Sequence, residues 1–289
     1  MSGLLKEEDW EILLQRIADK KCTPFLGAGA CYGSIPLGGE IAREWARQYE
    51  YPLEDSSDLV RVAQFLALAR DPMFPKEEIV RMFKKFPAPD QDDPSGTHHI
   101  LAGLPLPVYL TTNYDDFMSQ ALAGQNKDPR RELCRWNKYV KDYPSAFDEG
   151  YAPTVANPVV FHLHGHCPVA ESLVLTEDDY MDFLVNISVD DQLLPAPVVK
   201  ALTGTTLMFV GYRIGDWNFR VLLRGLSRFM EKGLRRTHVA VMTPPATDEA
   251  SRQKAQDYLS EYYDNIDVRV YWGTAGEFLK ELKERSRRA

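Results

Sequence analysis

Three short segments of the chain combine glycine, amide and imidazole groups, and each follows an apolar run. They are Gly27-Ala28-Gly29, Thr112-Asn113-Tyr114-Asp115 and His162-Leu163-His164-Gly165-His166. A glycine turn before a helix can present backbone N–H groups to a phosphate, a carboxamide can orient a nucleophile, and an imidazole can accept a proton near neutral pH. Ligands of open α/β sheets bind at the carboxyl ends of the strands, so these segments together predict one site.

Each segment also has a purely structural interpretation. The glycine turn is not the full Gly-x-Gly-x-x-Gly fingerprint, because Tyr32 takes the last position; it could simply join a strand to a helix, and a hydride-transferring dehydrogenase is disfavoured. Asn113 and Asp115 could form an Asx turn or cap the next helix. The three histidines could be core residues, or they could converge on a metal ion. Because Gly165 is expected to bend the run, we expect no metal.

The elements that must position these groups are short apolar runs rich in β-branched and aromatic residues, separated by helical patterns. Six runs predict buried strands: Cys22–Leu26, Val108–Thr111, Val159–His164, Thr206–Val210, His238–Met242 and Val268–Tyr271. Alternating strands and helices are typical of parallel sheets with helical crossovers. The sequence therefore predicts an α/β protein with a mostly parallel six-stranded sheet.

Long connections between the strands predict insertions into one domain that covers residues 1–289. A helical insertion is expected at about 37–104, and lid-like insertions at about 124–158 and 176–203. The segment 124–158 is polar and proline-punctuated, which predicts loops, whereas a capping box at Thr176–Asp179 predicts a helix start. The remaining helical patterns are Ile12–Ala18, Gly39–Tyr49, Asp58–Ala69, Lys76–Phe86, a helix beginning at Gly215-Asp216-Trp217, and Phe278–Leu282.

Composition excludes several classes of protein. The 289 residues are 44% hydrophobic and 26% charged, as in ordinary globular proteins, and no apolar run is long enough to cross a bilayer. A net charge of −8 argues against sequence-independent binding of nucleic acid. Four scattered cysteines without a Cys-x-x-Cys pair argue against a disulfide framework. With no secretory signal visible, we expect a cytoplasmic protein.

The order and context of Gly27-Ala28-Gly29, Thr112–Asp115 and Leu163-His164-Gly165 resemble the NAD-binding domain of sirtuins. More specifically, the chain resembles the SIR2-like family of bacterial antiphage defence systems. Two more segments support this resemblance: Val174–Tyr180, and Phe209–Asn218, which is similar to the family's Gly-Tyr-Ser-x-x-Asp-x-Asn loop. The resemblance covers about residues 20–280. It implies a Rossmann-like sheet with a helical insertion, and NAD⁺ as the ligand.

The resemblance also implies roles for single residues. Asn113 would order the nucleophile or the ribose hydroxyls, Asp115 would contact the nicotinamide carboxamide, and His164 would be the general base. Gly27, Ala28 and Gly29 would hold the pyrophosphate. The other binding positions implied are Ala30, Cys31, Thr112, Gly211, Tyr212, Asp216 and Asn218, with Gly211, Asp216 and Asn218 on the adenosine side.

The chain departs from protein-deacylating sirtuins at two places. The paired zinc-binding cysteines are absent, and Ser34–Gly39 replaces the Asp-Phe-Arg stretch, so acyl-lysine binding is not expected. Cys31 stands where the family usually has serine, and we expect it to pack rather than to act as a redox switch.

The resemblance predicts an NAD⁺ glycohydrolase that yields nicotinamide and ADP-ribose and acts as the toxic effector of an antiphage system. Nicotinamide leaves as a neutral molecule, so no pair of catalytic carboxylates is needed. His164, with a pKa near the reference value of about 6.5, would take a proton from water. The alternatives are an NAD-dependent protein deacylase and a non-catalytic nucleotide-binding subunit. Expected partners are further copies of the chain or a defence-operon protein, such as a HerA-like ATPase or an Argonaute, without sequence-specific nucleic acid binding or a membrane.

Overall fold

The computed structural model describes residues 5–90, 93–190, 192–212, 236–244 and 248–288. Within these ranges the chain has a seven-stranded sheet. The strands are β1 (Cys22–Leu26), β2 (Val108–Thr111), β3 (Arg130–Leu133), β4 (Val159–His162), β5 (Thr206–Tyr212), β6 (His238–Met242) and β7 (Val268–Trp272). Their order across the sheet is β3-β4-β2-β1-β5-β6-β7, and each neighbouring pair is parallel. The protein therefore has the Rossmann-like α/β fold that the sequence predicts.

The prediction of six strands is wrong by one, because Arg130–Leu133 pairs with β4 at the edge of the sheet. Arg130 and Arg131 are exposed, as charged residues on edge strands commonly are, and the segment lacks the apolar run by which the other strands were predicted. The predicted loop segment 124–158 therefore contains a strand. β4 ends at His162, two residues earlier than predicted, whereas β5 extends two residues further, to Tyr212.

Ten helices lie within the described ranges. They are α1 (Glu7–Ala18), α2 (Gly38–Gln48), α3 (Leu59–Ala69), α4 (Phe74–Phe83), α5 (Thr97–Ala102), α6 (Phe117–Gly124), α7 (Glu177–Val189), α8 (Ala196–Gly204), α9 (Glu249–Asp264) and α10 (Ala275–Ser286). Asp58 caps α3 by accepting from Val60 N and Arg61 N, and Thr176 forms the predicted capping box with Asp179. The helix predicted to begin at Gly215 lies outside the described residues. None of the described helices has the length and apolar character needed to cross a bilayer.

Both faces of the sheet are buried. Phe25, Leu110, Phe161 and Phe209 belong to one apolar layer, while their neighbours Leu26, Tyr109, Val160 and Met208 belong to the other. Successive side chains of a strand point to opposite faces, so this alternation covers the sheet with apolar groups on both sides. Helices α2–α4 pack around Trp45, Val62 and Ile79, and the same cluster includes Leu173 and Leu175 from the chain after β4.

The strand order reverses at β1. From β1 the chain crosses to β2, continues to β3 at the edge of the sheet and comes back to β4 between them, and it then passes to β5 on the other side of β1. Such a reversal opens a crevice at the carboxyl ends of the strands around it, which is where α/β sheets bind ligands. The three segments singled out in the sequence follow β1, β2 and β4 at this edge.

Candidate functional site

The glycine turn after β1 packs directly on the end of β5. Gly27 N donates to Val210 O at 2.9 Å, and Ala28–Cys31 forms a short 3-10 turn. A Cβ atom on Gly29 would lie 2.9 Å from Gly211 Cα, and one on Gly211, which has φ +87°, would lie 2.2 Å from Ala30 N. Glycine is therefore required at these positions by the close backbone approach of the two elements, whatever ligand the turn binds.

Asn113 connects the end of β2 to this turn. Its Nδ2 donates to Gly27 O at 3.1 Å and to Cys31 Sγ at 3.2 Å. A carbonyl oxygen can only accept, so Nδ2 and not Oδ1 must face Gly27. No described residue donates to Asn113 Oδ1. The side chain is half-buried, and its amide orientation is fixed with the oxygen left available.

Thr112 and Tyr212 tie the ends of β2 and β5 to β1. The Tyr212 hydroxyl donates to Leu26 O at 3.0 Å and shares a hydrogen bond with Thr112 Oγ1 at 2.9 Å. Tyr212 also packs edge-on against Phe25. Thr112 and Tyr212, both predicted to bind the ligand, therefore lie where the ends of β1, β2 and β5 meet, and their hydrogen bonds stabilise this arrangement.

Cys31, which is buried, and Asp115, which is partly exposed, form a polar pair beside Asn113. Cys31 Sγ donates to Asp115 Oδ2 at 3.2 Å, and His98 Nε2 lies 3.8 Å from the same sulfur. Burial and the negative charge of Asp115 raise the pKa of the Cys31 thiol well above its ordinary value. The thiol is therefore protonated and unreactive at neutral pH, which agrees with a packing role. Asp115 Oδ1 accepts from Phe117 N at the start of α6, so the Asx interpretation also holds.

His162 rather than His164 contacts Asn113. Its Nδ1 lies 3.0 Å from Asn113 O, which accepts, so Nδ1 carries the hydrogen and Nε2 is left with its lone pair. Burial, with a smaller contribution from His166, lowers the pKa of His162 to about 3. His162 is therefore neutral at physiological pH.

His164 is enclosed by α7. Its ring lies edge-on to Tyr180 at 5.2 Å and to Phe183 at 5.0 Å between ring centroids, and only 4% of the residue is exposed. Burial lowers the pKa of His164 to about 3, so the expectation of a pKa near 6.5 is wrong. Its Nε2 has no hydrogen-bond partner among the described residues.

A second polar cluster lies on the other side of His162. His166 Nε2 contacts Asp116 Oδ1 at 2.9 Å, and Arg131 donates to Asp116 Oδ2 at 3.3 Å. The rings of His162 and His166 are 4.5 Å apart. Burial alone would raise the pKa of Asp116, but the hydrogen bond and charge of His166, together with Arg131, outweigh it and lower the pKa. His164 does not take part in this cluster.

The predicted residues are therefore brought together in part. Gly27, Cys31, Asn113 and Asp115 form one set of hydrogen bonds at the ends of β1 and β2. Thr112 and Tyr212 form a second set with Leu26 O beside it, and Ala28, Gly29, Ala30 and Gly211 lie in the backbone around both sets. Asp216 and Asn218 lie outside the described residues. His98 and Asp116 were not predicted from the sequence as residues of the site. His98 comes from α5 and only folding brings it to Cys31, whereas Asp116 follows directly after the Asn113 segment.

A parallel sheet with a reversal at β1 and a glycine turn at its carboxyl edge defines the class of doubly wound α/β proteins, many of which bind nucleotides at this edge. The SIR2-like domain family matches residues 107–263, which is more than half of the chain, so the chain belongs to this family.

Curated relatives agree with this assignment. NAD(+) hydrolase ThsA of Acinetobacter baumannii is 26% identical over 241 residues, covering 79% of this chain and 45% of that protein. ThsA of Cytobacillus dafuensis is 26% identical over 212 residues, covering 73% and 39%. Defense-associated sirtuin 2 of Bacillus subtilis is 25% identical over 185 residues, covering 62% and 16%. The chain thus spans less than half the length of these proteins.

Among solved structures, a chain from work titled "Structural Basis for the Mechanism and Regulation of Sir2 Enzymes" is similar, with a TM-score of 0.42 and 15% identity; the similarity covers 97% of this chain and 98% of that one.

Proposed function

We propose that this chain is an NAD⁺ glycohydrolase that releases nicotinamide and ADP-ribose and serves as the effector of a bacterial antiphage defence system. The observation that carries the proposal is the fixed amide of Asn113, whose oxygen is left available beside the glycine turn at the strand reversal. Membership of the SIR2-like family and similarity to proteins named NAD(+) hydrolase support NAD⁺ as the substrate.

The reaction breaks the bond between ribose C1′ and the pyridinium nitrogen, and water adds to C1′ with loss of one proton. Nicotinamide takes the bonding electrons and leaves as a neutral molecule, so the protein need not protonate it. Asn113 Oδ1 would accept a hydrogen bond from the attacking water or from a ribose hydroxyl, while Gly27 and Cys31 keep the amide from rotating. The backbone of residues 27–30 would approach the pyrophosphate.

His164 would accept the proton. Its imidazole is neutral because of its burial, and its Nε2 has no partner among the described residues, so this nitrogen can accept a proton in the tautomer that carries the hydrogen on Nδ1. Because Tyr180 and Phe183 enclose the ring, the substrate must displace part of this packing to bring water to Nε2. Because burial is the cause of the low pKa, this opening would also bring the basicity of the ring toward its ordinary value, at which general-base help is worth about 10²–10⁴-fold in rate.

The test is release of nicotinamide from NAD⁺ by the purified protein, alone and with proteins encoded beside it. Asn113→Ala and His164→Ala should each lower turnover by about 10²–10⁴-fold, with NAD⁺ binding retained. Asn137→Ala is the control and should keep full activity, because the hydrogen bonds of this amide, to Glu171 O and from Tyr139 N and Val140 N, involve no residue of the Asn113 site. Release that requires an acyl-lysine peptide would indicate a deacylase instead. Binding without release under every condition would indicate a non-catalytic subunit.

Control of the activity would come from other protein surfaces. Depletion of NAD⁺ is toxic, so the enzyme must be inactive until infection is sensed in the cytoplasm. We expect assembly with further copies of the chain, or with a defence-operon protein such as a HerA-like ATPase or an Argonaute, to activate it.

A further inference from the structure

Asp116, His162 and His166 form a cluster that the proposed hydrolysis does not use. Asp116 follows β2, whereas His162 ends β4 and His166 lies just after it, so two backbone segments meet at one edge of the sheet. One nitrogen or oxygen atom from each residue lies within 4.8 Å of those of the other two. The cluster is partly open to solvent on the side of Asp116, whose side chain is 24% exposed.

His162 has the hydrogen-bonding pattern of a metal ligand. Its Nδ1–H donates to the backbone oxygen of Asn113, and its Nε2, which is buried, has no partner in the described part of the chain. Histidines that bind metals commonly donate their other ring N–H to a backbone carbonyl in this way, which fixes the tautomer and turns the free lone pair toward the ion.

Asp116 is oriented in a comparable way. Arg131 holds Oδ2 at 3.3 Å, which leaves Oδ1, 2.9 Å from His166 Nε2, directed into the cluster. A hydrogen-bonded outer oxygen and an inward oxygen are typical of a carboxylate that binds an ion through one atom.

We propose that Asp116, His162 and His166 bind a divalent transition metal ion of the Zn²⁺ type. Two imidazole nitrogens and one carboxylate oxygen are a ligand set that Zn²⁺ uses in sites with three protein ligands and an open fourth position. Binding would replace the His166–Asp116 hydrogen bond by two bonds to the ion. It would also strengthen the His162 contact that supports the Asn113 backbone.

The neighbouring group of Cys31, His98 and Asp115 is the rival location within the described residues. There the sulfur already donates to Asp115 and accepts from Asn113, so its hydrogen-bonding capacity is used. The two locations differ in ligand chemistry, because only the rival contains a thiol.

The experiment titrates Co²⁺ into protein freed of metal by chelation, without NAD⁺, so that its outcome is independent of hydrolysis. Visible d–d absorption should saturate at one equivalent, without the near-ultraviolet band of a thiolate ligand, and Zn²⁺ should displace the signal. His166→Gln and Asp116→Asn should abolish stoichiometric binding. Arg131→Gln should weaken it by about 10–100-fold. The control, His99→Gln, should bind like the unchanged protein.

The proposal would be overturned if the unchanged protein did not bind Co²⁺ stoichiometrically, or if His166→Gln and Asp116→Asn bound Co²⁺ as well as the unchanged protein does. It would also be overturned by a thiolate absorption band that disappears in Cys31→Ser. Asp116→Asn keeps the shape of the side chain, and circular dichroism of each variant shows that loss of binding is not loss of folding.

Discussion

The amide nitrogen of Asn113 holds the side chain in place, so replacing the amide by a carboxylate should change the stability of the protein, and this can be measured without any activity assay. Asn113→Asp has nearly the same shape but places a carboxylate oxygen 3.1 Å from Gly27 O, where two acceptors repel. Asn113→Ala removes the hydrogen bonds to Gly27 O and Cys31 Sγ but adds no repulsion, and Gly27 O still accepts from Ala30 N. We expect the aspartate variant to be less stable than the alanine variant by about 1–3 kcal/mol in urea unfolding. Equal stability would mean that the amide is not held as described.

For single residues, the sequence predicted which chemical groups meet at the site better than it predicted which side chains surround them. Asn113, Cys31 and Asp115 meet as expected, because the carboxyl ends of parallel strands share one edge. The environment of His164 was not predictable, since Tyr180 and Phe183 enclose its ring only after α7 folds over it. Its low pKa follows from that burial.

The junction between the turn after β1 and the end of β5 depends on glycine for two separable reasons. Gly211 has φ +87° and no room for a Cβ, Gly33 has φ +85° and open space, and Gly29 has no room but an ordinary φ. Gly33→Ala should cost only about 1–2 kcal/mol for its left-handed backbone.

Gly211→Ala should lower the free energy of unfolding by more than about 4 kcal/mol, because a steric clash is added to the backbone strain. Gly29→Ala should fall between the two, since it has the clash without the strain. Denaturant unfolding of the three variants measures the order. A cost for Gly211→Ala no larger than that for Gly33→Ala would show that the close approach is not required.

A nearly buried ion pair connects α7 to α4. Lys76 Nζ lies 2.7 Å from Asp179 Oδ1, and both side chains are nearly buried. Lys76→Met leaves the carboxylate without its cation and should destabilise the protein by about 3–5 kcal/mol. Arg81→Met removes a pair of equal length to Glu78 that is much more exposed, and it should cost less than about 1 kcal/mol. If thermal or urea unfolding showed similar losses of stability for Lys76→Met and Arg81→Met, the burial of the Lys76–Asp179 pair would not determine its contribution.

The elements themselves were predictable to different degrees. Five central strands and α7 have apolar runs or a capping box that depend only on local sequence. β3 was missed because an edge strand buries little and can carry Arg130 and Arg131 in solvent. The end of β4 was placed too late, because pairing with β2 stops at Thr111 and His162, and Gly165 then turns the chain with φ +87°.

For the whole molecule, the buried histidines determine how stability depends on pH. Burial lowers the pKa of His162 and His164 to about 3 and that of His238 to about 4. In the unfolded chain each imidazole has the ordinary histidine pKa of about 6.5. Below this pH the unfolded chain therefore binds protons that the folded protein does not, and the stability present above pH 6.5 is lost as the pH falls.

At pH 5 this loss amounts to about 2 kcal/mol per histidine relative to pH 8. Urea unfolding between pH 8 and pH 5, above the range in which most carboxylates titrate, measures it. His238 accepts from Leu207 N through Nδ1, which only the unprotonated ring nitrogen can do, so His238→Gln should reduce the loss by about 2 kcal/mol. Stability that stays constant over this range would show that these imidazoles reach solvent in the folded protein. The enclosure of His164 by α7 would then have to be abandoned.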